Sequence, residues 1–264
     1  MSSNDSIKKT VVVALSLCLV CSVFVAAAAV GLKPIQKANK DLDRKQNILA
    51  AADMLDPDKS VDEIFESIET RLVNISTGKF ATEAELTSAG INPATYDQNI
   101  ASKDPALSIA LEAEDDIASI KRRAEYSSVY LVKSGDDIER IILPVKGYGL
   151  WSTMYGFMAL ESDFNTVIGF GFYDQAETPG LGGEVDNPNW KALWKGKMVY
   201  NESGEAVLGL VKGSVDSTDP QAAYKVDGLS GATLTSRGVT NLVHYWLGEQ
   251  GFGPFLSNLK GEGE

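Results

Sequence analysis

Histidine and cysteine are almost absent from this sequence. Its 264 residues hold one histidine, His244, and two cysteines, Cys18 and Cys21. A zinc site of Cys and His ligands is therefore excluded on inventory, and no metal site is expected. A Ser-His-Asp apparatus would depend on His244 alone for its base. Positive charge is scarce as well: 24 Lys+Arg stand against 36 Asp+Glu, a net charge of −12. Nucleic acid needs a basic face, so it is not an expected partner. Nucleotide fingerprints are also missing. There is no G-x-x-x-x-G-K-[ST] loop. Gly180-Leu181-Gly182-Gly183 lacks the third glycine of a dinucleotide turn, and Gly147-Tyr148-Gly149 lacks it and opens no helix. What remains is an ordinary globular balance, 44% apolar and 23% charged, which argues against wholesale disorder.

One long apolar run is present. Residues 11–32, VVVALSLCLVCSVFVAAAAVGL, carry no charge between Lys9 and Lys33. As a helix they span about 33 Å, enough for a bilayer core. The expectation is a short tail over 1–9 and an uncleaved, single-pass transmembrane helix over 10–32. The rival is a cleaved signal peptide, with Lys8 and Lys9 as its charged start and 26–29 as its small-residue cleavage region. Its apolar stretch would ordinarily be only about 7–15 residues. Either reading exports the rest of the chain. Flanking charge does not set the orientation, because Lys33, Lys37, Lys40, Arg44 and Lys45 balance Lys8 and Lys9. Both cysteines lie in the run as small, lipid-compatible side chains, so the exported part has none and needs no disulfide.

Residues 33–125 read as a helical and irregular membrane-proximal region. Ile35, Ala38, Leu42, Leu49, Ala52 and Leu55 recur loosely at helical spacing until Asp56-Pro57-Asp58 stops them. Ser60 and Glu63 suggest a capping box before an amphipathic helix marked by Val61, Ile64, Phe65, Ile68 and Leu72. Residues 76–125, broken at Asn92-Pro93 and Asp104-Pro105, show no periodicity. From 126 to 264 the pattern changes to that of a separate domain. Strand-like runs at 127–133 and 138–145 flank the turn Ser134-Gly135-Asp136-Asp137. A strand is expected over 166–173, and a short helix opening at Asn187-Pro188. A second hairpin is expected from 197–200 and 206–212. Val239, Leu242, Val243, Trp246 and Leu247 mark one buried helix face, and Gly248, Gly251, Gly253 and Pro254 end it. Hairpins mixed with separate helices give an α+β class: an antiparallel-sheet domain with packed helices behind an N-terminal membrane helix.

The segment Asp227-Gly228-Leu229-Ser230-Gly231-Ala232-Thr233-Leu234-Thr235-Ser236 places small residues and hydroxyls just before that helix. A helix start offers unpaired N–H groups and the positive end of a dipole, a natural seat for phosphate. The plainer reading is a loop with Thr235 or Ser236 as N-cap. Here a resemblance enters. Ser230-Gly231-Ala232-Thr233 is similar to the S/T-G-A-T motif of FMN-binding domains. Glu177-Thr178-Pro179-Gly180-Leu181-Gly182 and Gly147-Tyr148-Gly149-Leu150-Trp151-Ser152 resemble two further segments of that family. The tail from Trp246 to Leu256 resembles the branch formed by the C subunits of sodium-translocating NADH:quinone oxidoreductases.

The resemblance implies a membrane-anchored flavoprotein subunit that relays electrons among the other subunits of that complex and does not itself oxidise NADH. It implies FMN joined to Thr233 by a phosphoester, with Ser230, Gly231 and Ala232 around it. An exported flavin transferase would make the bond, since a threonine hydroxyl needs a base and His244 lies eleven residues away, read as structural. No catalytic residue is expected in the chain itself. It implies a C-terminal domain on the periplasmic side of the inner membrane. Gly149 and Gly180 would let backbone approach the isoalloxazine. Leu150, Trp151 and Leu181 would line it, and Glu177 or Thr178 would reach its polar edge, although Trp151 also reads as a core residue. Two alternatives stay open: the equivalent FMN subunit of Rnf-type ferredoxin:NAD complexes, and an exported binding module without cofactor.

Overall fold

The computed structural model describes residues 6–262. The chain forms two compact units that divide between Arg44 and Lys45. The first is the greater part of helix α1, Ile7–Ala51, which runs without interruption through Pro34. Proline removes one helical hydrogen bond, yet the helix continues. Every side chain of residues 11–32 is exposed, which suits an apolar helix whose solvent is lipid. Of the expected tail, residues 1–5 lie outside the described residues and Ile7–Lys9 are already helical.

The second unit is built on a six-stranded sheet in the order β2-β1-β5-β6-β7-β8. Its strands are β1 (Ile68–Asn74), β2 (Lys79–Phe80), β5 (Tyr126–Ser134), β6 (Asp137–Tyr148), β7 (Thr153–Glu161) and β8 (Val167–Asp174), all antiparallel. Between β2 and β5 come α3 (Glu83–Ser88), α4 (Gln98–Ala101) and the small β3 (Ser108–Ala110) and β4 (Arg122–Ala124) pair. After β8 come α5 (Pro188–Ala192), β9 (Gly209–Leu210), β10 (Lys225–Val226), α6 (Thr233–Leu247) and α7 (Gly253–Glu262).

Side chains alternate across a strand, and both faces of this sheet are covered. Val129, Leu131, Ile141, Leu143, Met154 and Met158 point to one side, where they pack with Val239, Leu242, Val243, Trp246 and Leu247 of α6. Tyr130, Ile142, Phe157 and Ala159 point to the other, where Ile48, Leu49, Ala51 and Ala52 cover them. The strand and helix periods read from 127–145 and from 239–247 therefore hold. Gly135, at φ +65°, turns the β5–β6 hairpin as glycine can.

Several expectations need correction. Only Val61–Phe65 is helical (α2), with Ser60 accepting from the Glu63 N–H; Ile68 and Leu72 belong to β1. The stretch I-E-T-R-L-V-N gains more by pairing along its length with β5 than by a helix it has no room to extend. The reciprocal capping box is instead Thr82 with Glu85, opening α3. The second hairpin reduces to a single bridge, Tyr200 to Ala206, because the following residues turn away and Gly209–Leu210 pairs in parallel with β10. Gly253 and Pro254 open a further helix, α7, beyond the one that Gly248 ends. Finally, β1 and β2 join the same sheet as β5–β8, so residues 68–80 share the domain expected to start at 126.

Candidate functional site

Helix α6 begins at Thr233. Its N-cap is Ala232, and no side chain caps the first turn. Thr235 and Ser236, the expected caps, are buried within that turn and committed elsewhere. Ser236 Oγ accepts the Leu229 N–H at 3.0 Å, which holds the preceding loop against the helix. Thr233 itself is exposed. Its hydroxyl has no hydrogen-bond partner among the described residues. Ser230 and Gly231 are exposed beside it and Ala232 is buried. Gly231 sits at φ +72°, so the S-G-A-T turn needs a residue free to adopt left-handed backbone.

Glu177 joins the three motif segments. It is only 5% exposed. Its Oε1 accepts the N–H groups of Leu150, Trp151 and Ser152 at 3.0, 2.9 and 3.3 Å. Its Oε2 accepts the Thr235 hydroxyl at 2.7 Å. Burial pushes this carboxyl up, but the Trp151 N–H, the Thr235 hydroxyl and the Leu150 and Ser152 N–H groups outweigh it and hold it below the usual glutamate value. Both oxygens are thus engaged inside the protein.

Glycine makes this close approach possible. A Cβ on Gly149 would come 2.5 Å from Glu177 Oε1, and one on Gly182 would come 2.6 Å from Thr235 Oγ1. Thr178 is exposed, and its carbonyl accepts from Leu181 and Gly183, which closes the turn around Gly180. Asp227 fixes the approach to the motif: its Oδ1 accepts the Val215 N–H at 2.8 Å, and its carbonyl accepts from Trp190 Nε1 at 3.0 Å.

Two surfaces surround Thr233. A cleft of about 640 Å³ opens beside it, lined by Lys212, Ser214, Asp227, Ser236, Arg237 and Thr240 among others. Large apolar side chains stand exposed on the segments that Glu177 ties together: Leu150, Trp151 at 65%, Leu181 and Leu234 at 53%. Trp151 is therefore a surface residue and not part of the core. His244, on the same helix, has its Nε2 buried without a partner among the described residues, a place within the packing and not at Thr233.

Known proteins match this arrangement. The FMN-binding domain family matches residues 149–248, which include every segment just described. The chain is 53% identical to the C subunit of the Na(+)-translocating NADH-quinone reductase of Pseudomonas aeruginosa, over 99% of this chain and 100% of that one. It is 51% identical to the C subunit of the same reductase in Vibrio vulnificus, over 100% and 99%. The chain belongs to this C-subunit family. Membership covers the apolar helix and the sheet domain alike, and it decides between the reductase branch and the two alternatives. The crystal structure of Shewanella oneidensis NqrC superposes with a TM-score of 0.75 at 36% identity, over 85% of this chain and 99% of that one. The C subunit from Parabacteroides distasonis gives 0.63 at 27% identity, over 86% and 97%.

Some members of the site carried no signal in the sequence. Lys212 and Arg237 are ordinary exposed cations until the fold sets them around one cleft. Thr235 read as a cap, and only the position of Glu177, 58 residues before it, explains its burial.

Proposed function

We propose that this FMN-carrying member of the family holds its flavin as a phosphoester on Thr233 Oγ1 and relays electrons to and from other subunits of the reductase. The observation that carries the reading is the exposed, unpartnered Thr233 hydroxyl at the uncapped start of α6, beside a cleft and inside the matched FMN-binding domain. The residues fit the group. Small neighbours at 230–232 leave the hydroxyl accessible, and uncapped N–H groups favour a phosphate. Leu150, Trp151 and Leu181 offer apolar surface for the ring system. FMN, when bound, supplies the redox chemistry, and the chain supplies anchor and environment.

Attachment uses FAD as donor. A bond forms from Thr233 Oγ1 to the phosphorus of the FMN half, the phosphoanhydride bond breaks, and AMP leaves. The hydroxyl proton passes to a base of an exported flavin transferase, since no base among the described residues hydrogen-bonds to Thr233. Glu177 acts at one remove: it fixes the 150–152 loop and the first turn of α6 relative to each other. The domain lies on the outer, periplasmic face of the membrane, behind the single span of α1.

The test is full-length protein matured with its transferase and run on a denaturing gel. The band fluoresces under ultraviolet light and carries the mass of one FMN less water. Thr233→Ala loses both signals while keeping its fold, because an exposed hydroxyl at a helix start contributes about 1 kcal/mol or less. A Thr233→Ala band that still fluoresces overturns the assignment.

A further inference from the structure

We propose that a hollow beside Lys146 is a carbon dioxide site, and that Lys146 Nζ takes up CO2 there as a reversible carbamate. The inference stands apart from the flavin, because no residue around this hollow belongs to the three motif segments. A split in the sheet makes the hollow. β5 and β6 pair from Ser134–Asp137 only as far as Tyr130–Ile142. Continued, that register would set Ser128 opposite Pro144, which has no N–H to give. Other groups take over the bonds of the ladder. Gln98 Oε1 accepts the Ser128 N–H at 2.9 Å and the Ser127 hydroxyl at 3.2 Å. The Lys146 carbonyl accepts Trp246 Nε1 at 2.7 Å, from α6 on the opposite face. A cavity of about 20 Å³ remains between them. One water needs about 10–15 Å³, so the space suits a molecule only slightly larger.

Lys146 lines this space and is half-buried. Its Nζ donates to Ser102 Oγ at 2.9 Å and pairs with no carboxylate among the described residues. Ser102 is buried, and its hydroxyl donates onward to the Asn99 carbonyl at 3.0 Å, so it serves Lys146 as an acceptor. The titratable groups lining the same hollow are Tyr126, Tyr155 and Tyr173; Tyr155 is the register partner of Lys146 on β7. Burial first, and then the charge of Lys103, lower the Lys146 ammonium to about 8, against the opposing pull of Asp97. A desolvated lysine beside another cation is a nucleophile near neutral pH. The hollow then selects the electrophile by size: a linear molecule of three atoms enters, and acyl donors do not. The free amine attacks the carbon of CO2. An N–C bond forms, one C=O π pair moves onto oxygen, and nitrogen releases a proton to solvent; nothing is oxidised or reduced. The carbamate keeps one N–H for Ser102. Lys103, which disfavours the ammonium, favours the new anion.

Full-length protein is equilibrated with isotope-labelled bicarbonate at about pH 8, where a lysine of that basicity holds about a hundredfold more free amine than an ordinary one. A trialkyloxonium salt then alkylates any carbamate, and peptide mass spectrometry locates it. Lys146 carries at least about tenfold more label than any other lysine, a threshold set well below that excess. An added peptide with a free α-amine, which titrates in the same range, reports that trapping worked. Lys103 is exposed, so Lys103→Gln keeps the fold, and it lowers the label on Lys146 by at least about twofold through the lost cation. A bulky succinimidyl ester, which the hollow cannot admit, acylates Lys146 more slowly than exposed lysines such as Lys212. Unlabelled Lys146 beside a labelled peptide, label spread evenly over the lysines, label untouched in Lys103→Gln, or preferential acylation of Lys146 by the bulky ester overturns the site.

Discussion

Glu177 is a buried carboxylate that ties two segments of the candidate site together. Its two oxygens accept four hydrogen bonds from two segments. Removing it strands three N–H donors and a hydroxyl. Glu177→Ala is expected to cost about 3 kcal/mol, and Glu177→Gln, which keeps one acceptor oxygen, about 1 kcal/mol. The pH dependence has a definite sign. The carboxyl is held below its ordinary value in the folded state. Its contribution is therefore present above the unfolded glutamate range and is lost as pH falls through the lower, folded value. Thermal unfolding from pH 7 to pH 3 should show a steeper acid loss in the parent than in Glu177→Gln. Equal slopes would remove Glu177 from the acid transition.

At the scale of elements, α6 is both wall and support of the site. It carries a glycine in its interior, which ordinarily costs about 1 kcal/mol against alanine. Here the reason is contact: a Cβ on Gly238 would lie 2.5 Å from the Tyr148 carbonyl, at the end of β6. Gly238→Ala should therefore destabilise by about 1–3 kcal/mol despite its better helix propensity. Gly261→Ala, which meets open space in α7, should not. A chemical denaturation series checks both, and a stabilised Gly238→Ala would mean that the helix and strand can separate at no cost. Elements differed in how far the sequence exposed them. The apolar face of α6 and the alternation of β5 and β6 were legible because each repeats over several turns or residue pairs. The β1 strand was not: Ile64, Phe65, Ile68 and Leu72 fit a helical spacing, and only the length of β5 beside them selects the strand. The two- and three-residue strands are too short for any period. Thr233 was singled out by a local motif, whereas Glu177 as a tie and Lys212 and Arg237 on one cleft depend on neighbours far apart in the chain.

At the scale of the whole molecule, the chain joins a 45-residue helix to a domain that contains no cysteine. The absence of disulfides leaves that domain indifferent to the redox state of its compartment. A fusion after Glu264 tests which compartment that is. Alkaline phosphatase there should be active and a fluorescent protein that matures only in the cytoplasm dark; the reverse would place the domain inside and remove it from the exported transferase. The framework that holds α6 at its two ends also has an order in time. Trp246 Nε1 donates to the Lys146 carbonyl across 100 residues, Thr235 reaches Glu177, and the Gln250 carbonyl accepts from Arg123 across 127. The ribosome delivers Thr233 before the last of these partners. A chain broken off after Thr233 would contain the motif yet lack the frame that presents it. With flavin joined to Thr233 as proposed, loading would work as proofreading: colour would mark the copies that were finished and folded, and unfinished ones would enter assembly, if at all, without a redox centre.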